Sequence, residues 1–280
     1  MSSDRRWPAL RARVPIEMLA SAIAVVLLVV LIATPAAGDG LRLVDSALRG
    51  GHEPAGQAAM SNAMPIAGST AVGALFTITA TGGLGTHFCS ASVIDSPAGD
   101  LVLTAAHCLA GRSAGQFVFV PDYHNGAAPY GVWAVSRVIT DQNWDSSADP
   151  DDDFAFLQVR KPGSALAVEQ VTGGERLGIG APSAQVVTVI GYPDSGSSAI
   201  LCVHGTTAFS PTQLEFDCGG FTTGTSGSPL LADVNPATGL GAVVGVIGGY
   251  QQGGYTASVS YAADFGQSFT ALYQLVSSEF

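Results

Sequence analysis

The chain has 280 residues, room for one large or two modest domains with their own cores, and its 47% hydrophobic and 12% charged residues exclude a disordered protein. Its 35 glycines and 15 prolines suit many short strands joined by turns better than long solvated helices. A formal net charge of -11, with no basic cluster outside the extreme N-terminus, would repel phosphates and excludes nucleic acid as a partner.

In chain order, Arg5, Arg6, Arg11 and Arg13 precede an apolar run over 18–33, and the small residues Pro35, Ala36, Ala37 and Gly38 follow. A basic start, an apolar middle and a small-residue exit predict a secretory signal over 1–37. The run is long for a signal core and short of the ~18 residues of a membrane span. An uncleaved anchor holding the rest of the chain outside is therefore the alternative. Trp7-Pro8 directly after Arg5-Arg6 speaks against a twin-arginine signal. Residues 38–65 are Gly/Ala-rich without periodicity and read as a linker or propeptide, with organised structure expected over 66–280.

Short apolar stretches bounded by Gly, Pro, Asp or Ser then predict strands at 72–79, 91–94, 101–103, 117–120, 132–139 and 154–159. A Gly-rich connection over 161–180 follows, and the pattern resumes at 186–190, 199–203, 213–216, 230–231, 243–247 and 255–259. Two such sets predict an all-β protein, a pair of barrels or sandwiches over about 66–160 and 181–280. Phe265, Phe269, Leu272 and Val276 recur at helical spacing, and Asp264 with Gln267 reads as a capping box for one C-terminal helix.

Four cysteines in an exported chain predict two disulfides, for which the sequence allows three pairings. Cys89, His107 and Cys108 are near enough to suggest zinc, but the paired C-x-x-C spacing is absent, so no metal is expected. The stretch GTSGSP at 224–229 reads as a turn by composition unless a base and an orienting acid accompany it. His107 in LTAAHC (103–108) offers the base; His52, His124 and His204 read as surface or satisfied residues. DPDDDFAFLQV (149–159) offers aspartates, normally a solvated loop.

These segments together resemble the chymotrypsin-like (trypsin-like) serine protease family. Thr104-Ala105-Ala106-His107-Cys108 is similar to the family's general-base motif, and His87-Phe88-Cys89 to the segment carrying its paired cysteine, which makes His87 structural. Asp153-Phe154-Ala155-Phe156-Leu157 resembles the family's acid motif, with Asp152 as the fallback, and Gly224-Thr225-Ser226-Gly227-Ser228-Pro229 its nucleophile motif. The order His107, Asp153, Ser226 is the family's, whereas an α/β-hydrolase would place Ser first within Gly-x-Ser-x-Gly.

The resemblance implies two six-stranded antiparallel β-barrels with the active site between them and a C-terminal helix. It also implies an endopeptidase acting through an acyl-enzyme at Ser226, with the amides of Gly224 and Ser226 as oxyanion hole. Chain proximity and the motifs favour disulfides Cys89–Cys108 and Cys202–Cys218. No cofactor is implied; the partner is a peptide or protein substrate met by a monomer, and a membrane enters only through an uncleaved N-terminus. Thr225 stands where many animal members have Asp, and no Ile-Val-Gly-Gly occurs near Ile66, so activation by a new N-terminal ion pair is not expected. The layout is similar to bacterial secreted members, including the V8/glutamyl endopeptidase group.

By resemblance, substrate is bound by Gly220, Phe221 and Thr222 and by the later strand with Ile247, Gly248, Gly249 and Tyr250. No acid lies near 220, against an Arg/Lys preference. Ile247 stands where glutamyl-specific members carry His, and a small or apolar P1 residue is expected. Gly248 and Gly249 could receive a substrate strand or could form a bend, and Tyr250 could narrow the cleft. The alternatives are a catalytically silent binding protein and an esterase on the same fold.

Overall fold

Strands that bury both faces read as continuous apolar runs, and this explains the local sequence of the first half of the protein. The computed structural model describes residues 61–278. Its elements, in chain order, are β1 (Ser61–Asn62), β2 (Met64–Pro65), β3 (Val72–Ile78), β4 (Leu84–Val93), β5 (Leu101–Thr104), β6 (Phe117–Pro121), β7 (Trp133–Thr140) and α1 (Gln142–Ser147). They continue with β8 (Ala155–Arg160), α2 (Val168–Thr172), β9 (Arg176–Leu177), β10 (Val186–Gly191), β11 (Ile200–Ser210), β12 (Gln213–Gly219), β13 (Pro229–Ala232), β14 (Ala242–Val246), β15 (Val259–Ala263) and α3 (Gln267–Ser278).

β3, β4, β5, β8, β7 and β6 close into a barrel in that order. Leu75, Val102, Phe119 and Leu157 join the core inside it, while Phe76, Leu103, Val120 and Phe156 belong to a second apolar layer. That second layer also holds Tyr192, Leu231 and Val246 of the other half and the stripe Phe265, Phe269, Leu272 and Val276. The two halves are thus joined by a shared core.

The second half is a nine-stranded sheet. Within it β10, β11, β12, β15, β14 and β13 form a ring of antiparallel neighbours, the β14–β15 step made by a single bridge, Ile247 to Ala262. Val189, Leu214, Phe216, Leu230 and Val244 fill its interior. The paired strands and the C-terminal helix bear out the all-β, two-barrel expectation, the second ring being more weakly closed.

Three boundaries differ from the sequence expectation. Strand pairing begins at Ser61, before Ile66: β1 runs parallel to β12 and β2 antiparallel to β11, so the last residues of the expected 38–65 linker are an edge of the second sheet. The last strand, expected at 255–259, forms at Val259–Ala263, because Gly253 and Gly254 take positive φ and Tyr255 is 82% exposed. No capping box forms at Asp264: Gly266 supplies the carbonyl that accepts from the Thr270 N–H, and α3 starts one residue later. The expected signal segment 1–37, the rest of the linker and His52 lie outside the described residues.

α3 follows the last strand of the second half and packs its aromatic face on the first. Phe269 stacks on Phe265 at 3.7 Å and meets Phe154 and Phe156 edge-on or tilted at 5.0 and 5.5 Å. Full burial of a Phe stabilises by about 2–3 kcal/mol. Phe154 directly follows Asp153, so the helix anchors the chain at that position. The disulfides are Cys89–Cys108 and Cys202–Cys218, as favoured, and cross-links of this loop size stabilise by roughly 3 kcal/mol each. The connection between halves is tied to both: Glu175 N–H donates to Val93, and β9 runs parallel to β14.

Candidate active site

The candidate base and acid, His107 and Asp153, come from the first barrel. His107 sits in a short 3-10 turn, Ala106–Leu109, directly after β5, and one face of that turn is pinned by the Cys89–Cys108 bond. Asp153 lies at the entry to β8 and is fully buried. Its Oδ1 accepts from the His107 backbone N–H at 2.8 Å and its Oδ2 from His107 Nδ1 at 2.7 Å. Oδ2 accepts a further bond from the Gly249 N–H at 2.8 Å. An acceptor on Nδ1 fixes the tautomer in which Nε2 carries the free lone pair. Asp152, the fallback, instead accepts from Asn143 Nδ2 and does not reach the imidazole.

Ser226 lies in the loop between β12 and β13 of the second half. Glycine is required on both sides of it. Gly224 has φ 94°, and a Cβ there would come 2.5 Å from the Asp194 nitrogen; Gly227 has φ 81°, and a Cβ would overlap Ser90 O and Thr104 Oγ1. Within the loop the amides of Thr225 and Ser228 donate to Thr222 O and Thr225 O, and that of Gly227 to Ile247 O. The amides of Gly224 and Ser226 donate to no described residue. Two unengaged N–H groups flanking a serine are what an oxyanion requires. The Ser226 hydroxyl likewise has no hydrogen-bond partner among the described residues, and the nearest polar atom recorded for His107 Nε2 is Cys108 Sγ at 4.0 Å.

His107, Gly224 and Ser226 line one cleft of about 660 Å³. Of the residues expected to bind substrate, Phe221, Thr222 and Ile247 line it as well. Gly220, Gly248, Gly249 and Tyr250 are not among its lining residues. The Gly248 amide donates to Tyr261 O and that of Gly249 to Asp153, with Gly249 at φ 73°, so these glycines make the bend and have no N–H left for a substrate strand. Tyr250 turns away and packs its ring on Phe209 and Tyr261 at 4.8 and 5.1 Å. Thr223, Gln251, Gln252 and Thr256 also line the cleft.

Several positioning residues escaped the sequence reading. Ser90 on β4, fully buried, donates through Oγ to Gly224 O and accepts from the Tyr192 N–H, while its own N–H donates to Ser226 O. Thr104 donates to Ser90 O. Gln213 bonds Asp151 and Pro150 through Nε2 and receives the Tyr250 N–H on Oε1, tying the bend to the acid loop. Only a buried hydroxyl or amide in an otherwise apolar strand signals them. Thr225 is satisfied locally, its Oγ1 donating to Thr222 O. His87 bonds Pro193 O, in keeping with a structural role. Cys89, His107 and Cys108 are the one cluster of metal-ligand type among the described residues, and its two sulfurs are bonded to each other.

A profile of the family described as Trypsin matches residues 62–265. Among solved structures the chain is similar to the protease Anisep from Arthrobacter nicotinovorans, at 24% identity and TM-score 0.65, over 77% of this chain and 99% of that one. It is similar to the thermostable serine protease AL20 from an extremophilic microorganism, at 27% identity and TM-score 0.63, over 76% and 99%. A Glu endopeptidase shares the fold at 16% identity and TM-score 0.57, over 78% and 97%. Curated proteins returned no match.

Proposed function

Because the chain belongs to the trypsin family, we propose that it is a secreted serine endopeptidase working through His107, Asp153 and Ser226. Ser226 Oγ attacks the peptide carbonyl while His107 Nε2 takes its proton and later gives it to the leaving amine; water then hydrolyses the acyl-enzyme. Asp153 orients the imidazole and stabilises the imidazolium. The amides of Gly224 and Ser226 receive the oxyanion. The observation that carries this reading is the pairing, on one cleft, of an imidazole held by a buried carboxylate with a serine flanked by two free amides. The serine-imidazole hydrogen bond, absent from the unliganded site, forms in this reading when substrate binds.

The wall around Phe221, Ile247, Thr222, Gln251 and Gln252 is neutral, which supports a small or apolar P1 residue. A cationic P1 would need a counter-charge there. A profile dominated by Arg, Lys or Glu at P1 would refute that preference. The deciding experiment is labelling with a serine-directed fluorophosphonate, with casein hydrolysis alongside. Wild type should label and hydrolyse, and Ser226→Ala and His107→Ala should do neither. A wild type that stays unlabelled while binding peptides would be a silent binding protein, and one that hydrolyses esters but no amide would be an esterase. With both disulfides formed and an N-terminal signal pattern, the protein acts outside the cytoplasm, with the segment over 18–33 as anchor if it is retained.

A further inference from the structure

The cleft carries one permanently charged side chain. Apart from His107, its lining residues are apolar, hydroxyl, amide or glycine, with the exception of Arg112. Arg112 is not adrift: its guanidinium carbon sits 4.1 Å above the Phe88 ring centroid, and Nη1 donates to Cys108 O at 3.0 Å. Stacking and one hydrogen bond hold the planar group, and most of its N–H donors remain open. Among the described residues no carboxylate pairs with it. In a chain with 22 acidic and 11 basic residues, a cation left unpaired beside the reacting groups has an electrostatic role to fill.

Its side of the cleft is defined by chemistry. The acyl half of a substrate stays bonded to Ser226, among the Gly224 amide and the Thr222 and Gln251 wall. The leaving amine takes its proton from His107 and departs along the wall on His107's side. That wall is Phe88, the Cys89–Cys108 disulfide and Arg112. Resting on the endopeptidase reading above, we infer that the leaving-group half of the cleft selects substrates with a carboxylate just past the scissile bond, received by Arg112. Arginine is suited to the task because its fork matches a carboxylate in two parallel hydrogen bonds. The carboxylate can come from a Glu or Asp side chain or from a free C-terminus.

The test uses the full-length enzyme and peptides identical on the acyl side. In one series the first two leaving-side residues are Glu, Gln or Lys, all with amidated C-termini; in another the Gln peptide ends in a free carboxylate. A preference in kcat/KM of about five-fold for Glu over Gln, with Lys below both, is expected at low ionic strength, the scale of a partly solvated ion pair. It should shrink in high salt. Arg112→Gln should abolish the ratio, Arg112→Glu should invert it toward Lys, and Arg112→Lys should keep part of it. A gain for the free-acid peptide alone assigns the carboxylate to the C-terminus; a gain for Glu assigns it to the side chain. Equal rates for all peptides, or a ratio that survives Arg112→Gln even as both rates fall, would overturn the inference. No cleavage of any peptide would instead defeat the endopeptidase reading.

Discussion

In the first barrel every strand is laddered to both neighbours over two or more residue pairs, from β3–β4 round to β6–β3. The second ring has the same number of strands, yet between β14 and β15 it is joined by the lone bridge Ile247–Ala262, with the Gly248 N–H donating to Tyr261 O beside it. The weak seam coincides with the cleft: Ile247 lines it, and the bend at Gly248–Gly249 leaves the ladder to reach Asp153. The difference teaches a division of work. The closed barrel holds His107 and Asp153 in fixed geometry, and the loosely closed ring presents the loop with Ser226 and much of the cleft wall.

The largest expected effect tests that division at the carboxylate. Asp153→Asn keeps the shape but offers Nδ1 a donor where it needs an acceptor, and kcat should fall about 10⁴-fold in steady-state peptide hydrolysis. A fall under ten-fold would remove Asp153 from the mechanism. The disulfides separate the halves next. Replacing Cys202 and Cys218 by serine should lower unfolding free energy in guanidinium by roughly 3 kcal/mol and leave kcat of the folded enzyme intact. Replacing Cys89 and Cys108 should cost a similar stability and also depress kcat, because Cys108 adjoins His107 and both cysteines line the cleft.

A third prediction concerns the link between halves. Glu175 is fully buried, its Oε2 accepts from the Gly241 N–H and its Oε1 has no partner. Burial pushes its carboxyl from 4.5 up to about 7. The folded state therefore holds this proton more tightly than the unfolded one. The resulting stabilisation is full below about pH 4.5 and is lost as pH rises through about 7, by on the order of 3 kcal/mol. Glu175→Gln, which mimics the neutral form, should show a flatter thermal midpoint between about pH 5 and pH 8; parallel curves for both proteins would exclude the effect. The smallest expected change comes at Ser90→Ala, which strands Gly224 O and the Tyr192 N–H. There kcat should drop about ten-fold with KM nearly constant. A change in KM alone would mean that Ser90 supports the binding wall instead of the oxyanion site.

The candidate triad was legible because each member sits in a short contiguous string whose residues serve one local task. Gly224 and Gly227 flank the serine for backbone reasons, and Ala105–Cys108 form the turn and its staple. The strands were legible where side chains alternate or run apolar, as in β6 and β8. Legibility failed where a residue acts across the fold. Nothing near Ser90 in sequence announces that its hydroxyl meets Gly224, and nothing near Gln213 announces Asp151. The glycines at 248 and 249 admitted both a strand and a bend until the acceptor on Asp153 decided between them. β15 was displaced because the positive-φ turn at Gly253-Gly254 leaves Tyr255 exposed and the strand begins only at Val259, which apolar content alone does not register. Nothing near Arg112 in sequence announces that Phe88 lies beneath it.

His107 and Asp153 reside on one half and Ser226 on the other, and the ring bearing Ser226 is completed by β15, far along the chain from both. The first barrel by itself therefore carries a histidine and an aspartate with no serine to act on. On the proposed reading, no peptide bond is cut until β13, β14 and β15 have folded around the loop that carries Ser226.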